Sequence, residues 1–347
     1  MDSLNPDNLI NPDNPINPDI LNEVLEKILG GAVRGADWRA VTLRGGTVGD
    51  VRLVEGAANT AGGGGTQPFK VVCKTQRKWE RTGDPDSWRR EYDLYASDFE
   101  SLFTDDFRWP RCYRAAINVA GDVTQIWMEY IDGASGAGLT VGMFERAALE
   151  IGRFQGRLYA GRPAVLHSLR NLSKAGDLKE YYIHCRSSRA EYDYIRSAGC
   201  EIPAHLCAML KQVDENADAV WKRIESLPVV LCHRDYWVTN IFYADGKIRL
   251  IDWDTAGWGY MGEDIKSLIA DEADVSRMVE YYRKCVPAYY RGFSEYANVS
   301  RIGDDCVREM ILVNLGYRLV SWFMKADTPE SRALQIDTLQ QIHDMGL

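Results

Sequence analysis

The first third of the chain shows the short hydrophobic period of β-strands. Between about residues 38 and 76, the segments AVTLRGG, VGDVRLVEG and FKVVCKTQ are rich in β-branched residues and are separated by glycine, as in antiparallel strands joined by turns. CYRAAINV and TQIWMEYI add two more predicted strands. This pattern predicts a small β-sheet.

Two helices are predicted beside the strands. ILNEVLEKILGG carries apolar residues at helical spacing, with Asp19 as the expected N-cap and Gly30 at its end. The second helix begins after Asp86 or Ser87, and large apolar residues recur at helical spacing as far as Leu102. We expect the second helix to be the functional one, because it carries the acidic residue discussed below.

A short repeat precedes these elements. MDSLNPDNLINPDNPINPDI repeats Asn-Pro-Asp every six residues, starting at Asn5, Asn11 and Asn17. Proline interrupts helices, and Asn-Pro-Asp favours turns. Residues 1–19 are therefore predicted to form a flexible leader.

After Gly133 the hydrophobic period becomes helical. Long amphipathic helices are predicted over TVGMFERAALEIGRFQGRLYA, DLKEYYIHCRSSRAEYDYIRSAG and PAHLCAMLKQVDENADAVWKRIESL. One short β-region, VVLCHRDYWVTNIFYADGKIRLIDWD, interrupts them, with a hairpin turn at Asp245-Gly246. The expected fold class is α+β, with a small β-rich N-lobe carrying one key helix (20–132) and a larger, mainly helical C-lobe (133–347).

Composition and charge exclude several classes of protein. The chain has 347 residues and a formal net charge of -9, which argues against nucleic acid or an anionic membrane as its partner and suits a cationic small molecule. It shows neither a basic, apolar signal segment nor a run of apolar residues that could span a bilayer, so we expect a cytoplasmic protein. Its eight cysteines contain no C-x-x-C, which favours reduced thiols over a zinc site. The composition leaves the oligomeric state open.

The β-region between the helices carries the chemistry. His233-Arg234-Asp235 is followed by Asn240, and Asp252 ends the next predicted strand. A phosphoryl acceptor needs a carboxylate that orients its hydroxyl and takes the proton, which is the expected role of Asp235. Mg²⁺ prefers oxygen ligands, and the amide of Asn240 with the carboxylate of Asp252 would supply them. The spacing H-R-D-x-x-x-x-N is the catalytic-loop pattern of kinases.

The alternative interpretation is that these residues only hydrogen-bond the loop backbone. That interpretation requires the apolar strand, the spacing to Asn240, the hairpin and the Asp-Trp-Asp ending to coincide by chance. The phosphoryl-transfer interpretation accounts for all four features together, so we prefer it.

The stretch LCHRDYWVTNIFYADGKIRLIDWDTAG resembles the catalytic segment of the aminoglycoside phosphotransferase and choline kinase-like family, whose fold is protein-kinase-like and two-lobed. The resemblance implies that Asp235 is the base and that Asn240 and Asp252 hold Mg²⁺. It also implies that His233 packs the loop and that Asp264, in Gly-Glu-Asp-Ile, braces it.

The first lobe extends the resemblance. Lys74 in KVVCK matches the phosphate-binding lysine on the third strand, and Glu91 in WRREYDLY is its expected partner. Such a pair holds the ammonium towards the nucleotide phosphates. A strand lysine that only reaches solvent is the alternative for Lys74. Together with Glu91 and the downstream motif, the functional interpretation is preferred.

Two further segments match nucleotide-binding positions. WMEYIDG corresponds to the linker whose backbone binds the adenine edge, which implies Glu129 and Ile131, although the Glu129 side chain could equally be a solvated hinge residue. LRGGTVGDVRL lies where a loop covers the nucleotide, through Gly45, Gly46 and Thr47. This loop departs from G-x-G-x-x-G, so its glycines could simply serve a tight hairpin.

These features predict a small-molecule kinase that moves the γ-phosphoryl group of ATP or GTP to a hydroxyl, with Mg²⁺. No G-x-x-x-x-G-K-[ST] motif occurs, and no A-P-E motif follows Asp252, so neither a P-loop enzyme nor a protein kinase is expected. The alternative is a non-catalytic nucleotide-binding pseudokinase scaffold, which predicts loss of at least one of four residues, all present here: Lys74, Asp235, Asn240 and Asp252. The acceptor (an aminoglycoside, amino alcohol or sugar) and a role in resistance or metabolism are left open.

Overall fold

The structure is a computed structural model that describes residues 10, 16–43, 49–61, 65–81, 83–175, 178–180, 182–183, 189–270, 274–298 and 305–347. Its strands are β1 (Val33–Thr42), β2 (Asp50–Thr60), β3 (Thr66–Arg77), β4 (Phe107–Arg108), β5 (Cys112–Ile117), β6 (Val123–Glu129), β7 (Val229–Cys232), β8 (Ile241–Ala244), β9 (Lys247–Leu250) and β10 (Gly257–Tyr260). Its α-helices are α1 (Pro18–Leu29), α2 (Arg90–Tyr95), α3 (Val141–Gly161), α4 (Val165–Ser168), α5 (Arg189–Tyr194), α6 (Ala204–Glu215), α7 (Ala217–Glu225), α8 (Glu263–Ala270), α9 (Met278–Ser294), α10 (Asp305–Lys325) and α11 (Pro329–Asp344).

The chain forms two compact units. The first contains the described part of Met1–Gly133 together with Ala164–Asn171 and Arg249–Asp254. The second contains Ala134–Pro163, Leu172–Ile248 and the described part of Thr255–Leu347. Strands β1 to β3, β5 and β6 form the sheet of the first unit, and most of the helices belong to the second. The predicted fold class, a β-rich first part and a mainly helical second part, is confirmed.

The first unit is built on a five-stranded antiparallel sheet in the order β1-β2-β3-β6-β5. Lys74 lies in β3, between Val51 of β2 and Ile126 of β6. Side chains alternate along a strand, so Lys74 points to the face opposite Val71 and Cys73. Those two side chains are fully buried in the core that α1 covers. The alternation therefore separates the side chain of Lys74 from the apolar core.

Helix α1 begins two residues earlier than expected, and the predicted cap was wrong. Asn17 is the N-cap, and its side-chain oxygen accepts hydrogen bonds from the backbone amides of Asp19 and Ile20. Pro18 occupies the first helical position, where its missing N–H costs nothing. Asp19 instead provides a negative charge in the first turn. The predicted end is confirmed, since Gly30 is left-handed with φ 69°.

Aromatic side chains form much of the core around the second predicted helix. This helix is short: a turn of 3₁₀ helix (Ser87–Arg89) leads into α2. The indole of Trp253 is fully buried against Phe99, Phe103 and Trp109. The segment after β9 is thereby fixed to the first unit by edge-to-face aromatic contacts.

One predicted helix of the second unit is divided into two. One helix was expected over PAHLCAMLKQVDENADAVWKRIESL, but α6 and α7 are separate elements. The chain leaves the helical region at Asn216, where φ is -110° and ψ is 18°. Its side-chain amide donates to the carbonyl of Gln212 at 2.9 Å, and asparagine favours such local side-chain bonds over a continuous helix. No described helix combines the length and apolar character that crossing a bilayer demands.

The hairpin turn between β8 and β9 follows the prediction. Asp245 and Gly246 have φ values of 51° and 78°, and such a pair of positive angles is characteristic of a two-residue type I′ turn. The turn connects Asn240, just before β8, to Asp252, two residues after β9, along the chain.

Helices α3 and α9 approach each other closely enough to require glycine. A Cβ atom on Gly152 would lie 2.3 Å from the carbonyl oxygen of Tyr289, and one on Gly156 would lie 2.6 Å from that of Phe293. On the facing helix, a Cβ on Gly292 would lie 2.2 Å from the carbonyl oxygen of Leu149. These contacts involve backbone atoms, which cannot rotate away as a side chain can.

We therefore expect Gly152→Ala to destabilise the protein by about 2 kcal/mol, because the added methyl group must push the two helices apart. The matched control is Gly161→Ala in the same helix, where an added Cβ meets no atom within 4 Å. The control should be neutral or stabilising by up to about 1 kcal/mol. Urea denaturation of both variants measures the difference, and equal stabilities would contradict the close contact.

Candidate active site

The first unit brings three of the predicted residues together. The Nζ atom of Lys74 lies 2.6 Å from Oε2 of Glu91 and 2.6 Å from Oδ1 of Asp252. The lysine side chain is only 12% exposed. Burial opposes its charge, but Asp252 and Glu91 outweigh burial and raise the pKa of Lys74 above its ordinary value. Lys74 is therefore a fixed cation between two carboxylates.

The turn that carries Asp252 has an unusual backbone. Asp252 has a φ of 66°, a left-handed conformation that costs a non-glycine residue about 1 kcal/mol. The next amide, of Trp253, donates to Oε1 of Glu91 at 3.4 Å, and its indole N–H donates to the carbonyl of Leu250 at 3.0 Å. Glu91 thus contacts both Lys74 and the turn.

Asp254 is a member of this group that the sequence interpretation did not single out. Burial and the charge of Asp252 raise the pKa of Asp254 to about 7, although Lys74 and Arg81 act in the opposite direction. Arg81 donates to its carboxylate at 3.3 Å. The signal in the sequence was the second acid of Asp-Trp-Asp. Because Asp252 and Asp254 lie on either side of the buried Trp253, both carboxylates are near Lys74.

The second unit contains Asp235 and Asn240. The amide nitrogen of Asn240 donates to Oδ2 of Asp235 at 2.8 Å and to the carbonyl of Asp235 at 3.0 Å. Asn240 is buried, whereas Asp235 is half-buried. The backbone amide of Trp237 donates to the carbonyl of Asp235, and that of Asn240 donates to the carbonyl of Trp237. These bonds fold the loop so that the side chains of Asp235 and Asn240 meet.

Asp264 braces this loop, as predicted. Its carboxylate accepts the backbone amides of His233 at 3.0 Å and Arg234 at 2.8 Å, and Arg234 is left-handed with φ 69°. Burial raises the pKa of Asp264 to about 6, although the two amides favour the charged form. The side chain of His233 is completely buried, and its carbonyl accepts the hydroxyl of Thr255. His233 is therefore a packing residue of the loop.

A second layer behind Asp264 was not predicted. Gln155 donates to Oδ2 of Asp264 at 2.8 Å and to the carbonyl of Leu231 at 3.1 Å, and it accepts the hydroxyl of Tyr289 at 2.6 Å. Gln155 is 1% exposed although it is polar. A glutamine on the apolar face of α3 was the available signal. The close packing of α3 on α9 places Tyr289 within reach of it.

The remaining predicted residues have different surroundings. The carboxylate of Glu129 accepts two hydrogen bonds from Arg108, at 2.6 and 3.1 Å, and one from the backbone amide of Arg111. Burial opposes its charge, but these bonds prevail and hold the pKa of Glu129 below its ordinary value. Its side chain is thus committed within the first unit, and its backbone amide donates to the carbonyl of Arg111 at 2.9 Å. Ile131 is half-buried.

The predicted residues of the covering loop, Gly45, Gly46 and Thr47, lie outside the described residues. The two predicted metal ligands are in different units, Asn240 in the second and Asp252 in the first. Their amide and carboxylate oxygens are the donor types that suit Mg²⁺. Within the described ranges, histidine, cysteine and acidic side chains form no group of three or more that could hold a metal ion by itself.

Comparison with known proteins fits this arrangement. The family model described as the phosphotransferase enzyme family, APH, matches residues 122–296, just over half of the chain and the part that contains Asp235, Asn240, Asp252 and Asp264. The chain belongs to the phosphotransferase enzyme family. The resemblance and the predicted class of enzyme, a small-molecule kinase, are thereby confirmed at the level of the family. No curated protein matches the chain.

Solved structures resemble the fold at low sequence identity. The GDP and kanamycin complex of APH(2")-IIia has 13% identity and a TM-score of 0.54, over 95% of this chain and 100% of that one. Choline kinase from Cryptosporidium parvum Iowa II has 13% identity and a TM-score of 0.51, over 88% and 89%. The amicoumacin kinase hAmiN, in complex with AMP-PNP, Ca²⁺ and Ami, has 13% identity and a TM-score of 0.50, over 88% of each chain. The predicted protein-kinase-like fold is confirmed.

The raised pKa of Asp254 predicts how this phosphotransferase responds to pH. An aspartate in an unfolded chain titrates near pH 4. The contribution of Asp254 to the free energy of unfolding is therefore fully present below about pH 4 and is lost as the pH rises through about 7. Asp254→Asn should therefore gain stability relative to the wild type between about pH 5 and about pH 8, by up to about 1.4 kcal/mol per pKa unit. Urea denaturation without nucleotide or magnesium measures this gain.

The control for that comparison is Asp245→Asn, the same chemical change at the exposed hairpin turn. Its stability relative to the wild type should be the same at both pH values. A pH-independent effect of Asp254→Asn would mean that its carboxyl group titrates normally in the folded protein.

Proposed function

We propose that this protein transfers the γ-phosphoryl group of ATP or GTP to a hydroxyl group of a small molecule, with Asp235 as the base. One observation carries the proposal: Asp235 is held by the amide of Asn240 in a loop that Asp264 anchors at two consecutive backbone amides. A loop fixed at both ends of the His-Arg-Asp segment can hold a carboxylate beside an acceptor hydroxyl. Asp235 would orient that hydroxyl and take its proton as the new O–P bond forms, while the bond from the γ-phosphorus to the bridging oxygen breaks and the nucleoside diphosphate leaves with that oxygen.

Lys74 and Glu91 support the nucleotide side of the proposal. A lysine that bridges two carboxylates keeps its charge and its position, and both are needed to bind nucleotide phosphates. Related folds have been solved with GDP and with AMP-PNP, so we propose a purine nucleoside triphosphate as the donor. The backbone of Glu129 and Ile131 would bind the base, and Gly45, Gly46 and Thr47 would cover the phosphates.

Asn240 and Asp252 are the proposed holders of Mg²⁺. The amide nitrogen of Asn240 is used by Asp235, so its carbonyl oxygen is the atom available as a ligand. The carboxylate of Asp252 is balanced by Lys74 and would exchange part of that contact for the metal. Bound Mg²⁺ would supply charge stabilisation for the triphosphate.

The acceptor is proposed to be a small hydroxylated molecule that carries an amine, such as an aminoglycoside or an amino alcohol. The names of two solved structures with a similar fold include kanamycin and choline. The chain's net charge of -9 also favours a cationic acceptor. A sugar acceptor remains a second possibility for the same site. The cytoplasm contains both ATP and GTP and is the proposed location.

The proposed role of Asp235 as the base predicts the effect of a substitution. Asp235→Asn should lower turnover by about 10²–10⁴-fold, with little change in nucleotide binding, because the amide cannot take the acceptor's proton. The measurement is nucleotide consumption, with ATP and with GTP, against a panel of aminoglycosides, amino alcohols and sugars. Asp245→Asn, the same change at the exposed hairpin turn, is the control and should keep wild-type turnover.

The outcomes separate the proposal from its rival. An acceptor that is consumed by the wild type and not by Asp235→Asn establishes the kinase and identifies the class of acceptor. Near-normal turnover in Asp235→Asn would refute the role of this residue as the base. Binding of Mg²⁺-nucleotide without turnover on any acceptor would favour the pseudokinase scaffold.

The proposed role of Asp252 as a magnesium ligand predicts the effect of a second substitution. Asp252→Asn should weaken Mg²⁺-dependent nucleotide binding, because a neutral amide is a poorer magnesium ligand than a carboxylate. Calorimetric titration of nucleotide at several magnesium concentrations measures this change, with Asp245→Asn again as the control. Unchanged magnesium dependence would remove Asp252 from the metal site.

A further inference from the structure

Arg90 is a buried cation immediately before Glu91 in the sequence. It begins α2, and its side chain is 1% exposed. A guanidinium group carries five N–H donors and keeps its charge, so burial is tolerated only when acceptors surround it. The neighbouring Arg89, the last residue of the 3₁₀ turn, has no such constraint, since its side chain is 38% exposed and pairs with Asp93 of α2. The two adjacent arginines therefore differ in their roles.

The contacts of Arg90 lead to the turn that carries Asp252. Its Nη2 atom donates to both carboxylate oxygens of Asp84, at 2.7 and 2.8 Å. Its Nη1 atom donates to the backbone carbonyl of Asp254 at 2.7 Å, and its Nε atom donates to that of Asn171. All of these residues belong to the first unit. Arg90 thus ties α2 to the end of the Asp-Trp-Asp turn, with Asp84 as its counter-ion.

The turn needs such an anchor. Asp252 has a left-handed backbone, which persists only where surrounding contacts impose it. On one side, Lys74 and Glu91 contact the turn, but both are proposed to serve the nucleotide during the reaction. The bond from Arg90 reaches the far end of the turn, at Asp254, and uses no atom of the proposed metal or nucleotide site.

We propose that Arg90 is a positioning residue, which holds the Asp252–Asp254 turn against α2 so that the carboxylate of Asp252 is preset for the metal. This proposal rests on the proposed function for its effect on magnesium, and on geometry alone for its effect on the turn. Lysine cannot replace Arg90, because one ammonium group cannot reproduce a planar fork that reaches a carboxylate and two carbonyls. The pairing with Asp84 also keeps the fork oriented.

The test compares Arg90→Lys with Arg89→Lys, the same change one residue earlier. In Arg90→Lys, we expect the magnesium concentration for half-maximal nucleotide binding to rise about 10-fold, and amide exchange of residues 252–255 to accelerate. Exchange in β2 and β3 should stay at the wild-type rate. Arg89→Lys should match the wild type in every measurement. A merely structural role would lower the melting temperature without changing the magnesium dependence.

Asp84→Asn supplies a second variant if Arg90→Lys does not fold. It leaves all donors of Arg90 in place but removes the charge that orients them, so the same two changes should appear with smaller size. A folded Arg90→Lys, or in its absence a folded Asp84→Asn, with wild-type magnesium dependence and wild-type exchange at 252–255 would overturn the proposal. If the wild type binds no Mg²⁺-nucleotide, the proposed function fails, and the exchange comparison alone decides whether Arg90 holds the turn.

Discussion

The contact of Lys74 with Glu91 and Asp252 is the interaction on which the first unit depends. The ammonium of Lys74 and the carboxylate of Glu91 are largely removed from water, and removing one partner from such a buried ion pair costs about 3–5 kcal/mol. The carboxylate of Asp252, which is 33% exposed, adds a second partner for the ammonium. The group joins a strand, a helix and the turn after β9. The sheet, the short helix α2 and the aromatic packing of Trp253 all hold these three side chains at hydrogen-bonding distance.

The second unit holds the loop that carries Asp235 in a different way. The carboxylate of Asp264 accepts two successive backbone amides of this loop and a hydrogen bond from Gln155. Each unit has a left-handed, non-glycine residue at or beside a candidate site residue: Arg234 precedes Asp235, and Asp252 is itself left-handed. Surrounding hydrogen bonds maintain a backbone that is strained in this way.

Most of the fold could be predicted from local patterns, and the errors have local causes. The strands and the type I′ turn followed from residue periodicity and from Asp245-Gly246. The cap of α1 was assigned to Asp19 because an acid often occupies that position, whereas Asn17 can accept the first amides and lets Pro18 enter the helix. The break at Asn216 was missed because the apolar residues keep helical spacing across it. That spacing gives no information about the side-chain hydrogen bond from Asn216 to the carbonyl of Gln212.

The sequence by itself determined the class of this protein, because the types and spacing of Asp235, Asn240 and Asp252 follow from the chemistry of phosphoryl transfer. It also identified Lys74 with Glu91 and the brace at Asp264. Only the tertiary structure revealed the contacts of Arg90 and Gln155 and the surroundings of Asp254. Those three residues contact partners that are distant in the sequence. The amino-acid sequence alone does not specify which carbonyl or carboxylate a buried polar side chain contacts. Folding decides that, because the great majority of buried polar groups find a hydrogen-bond partner in the folded protein.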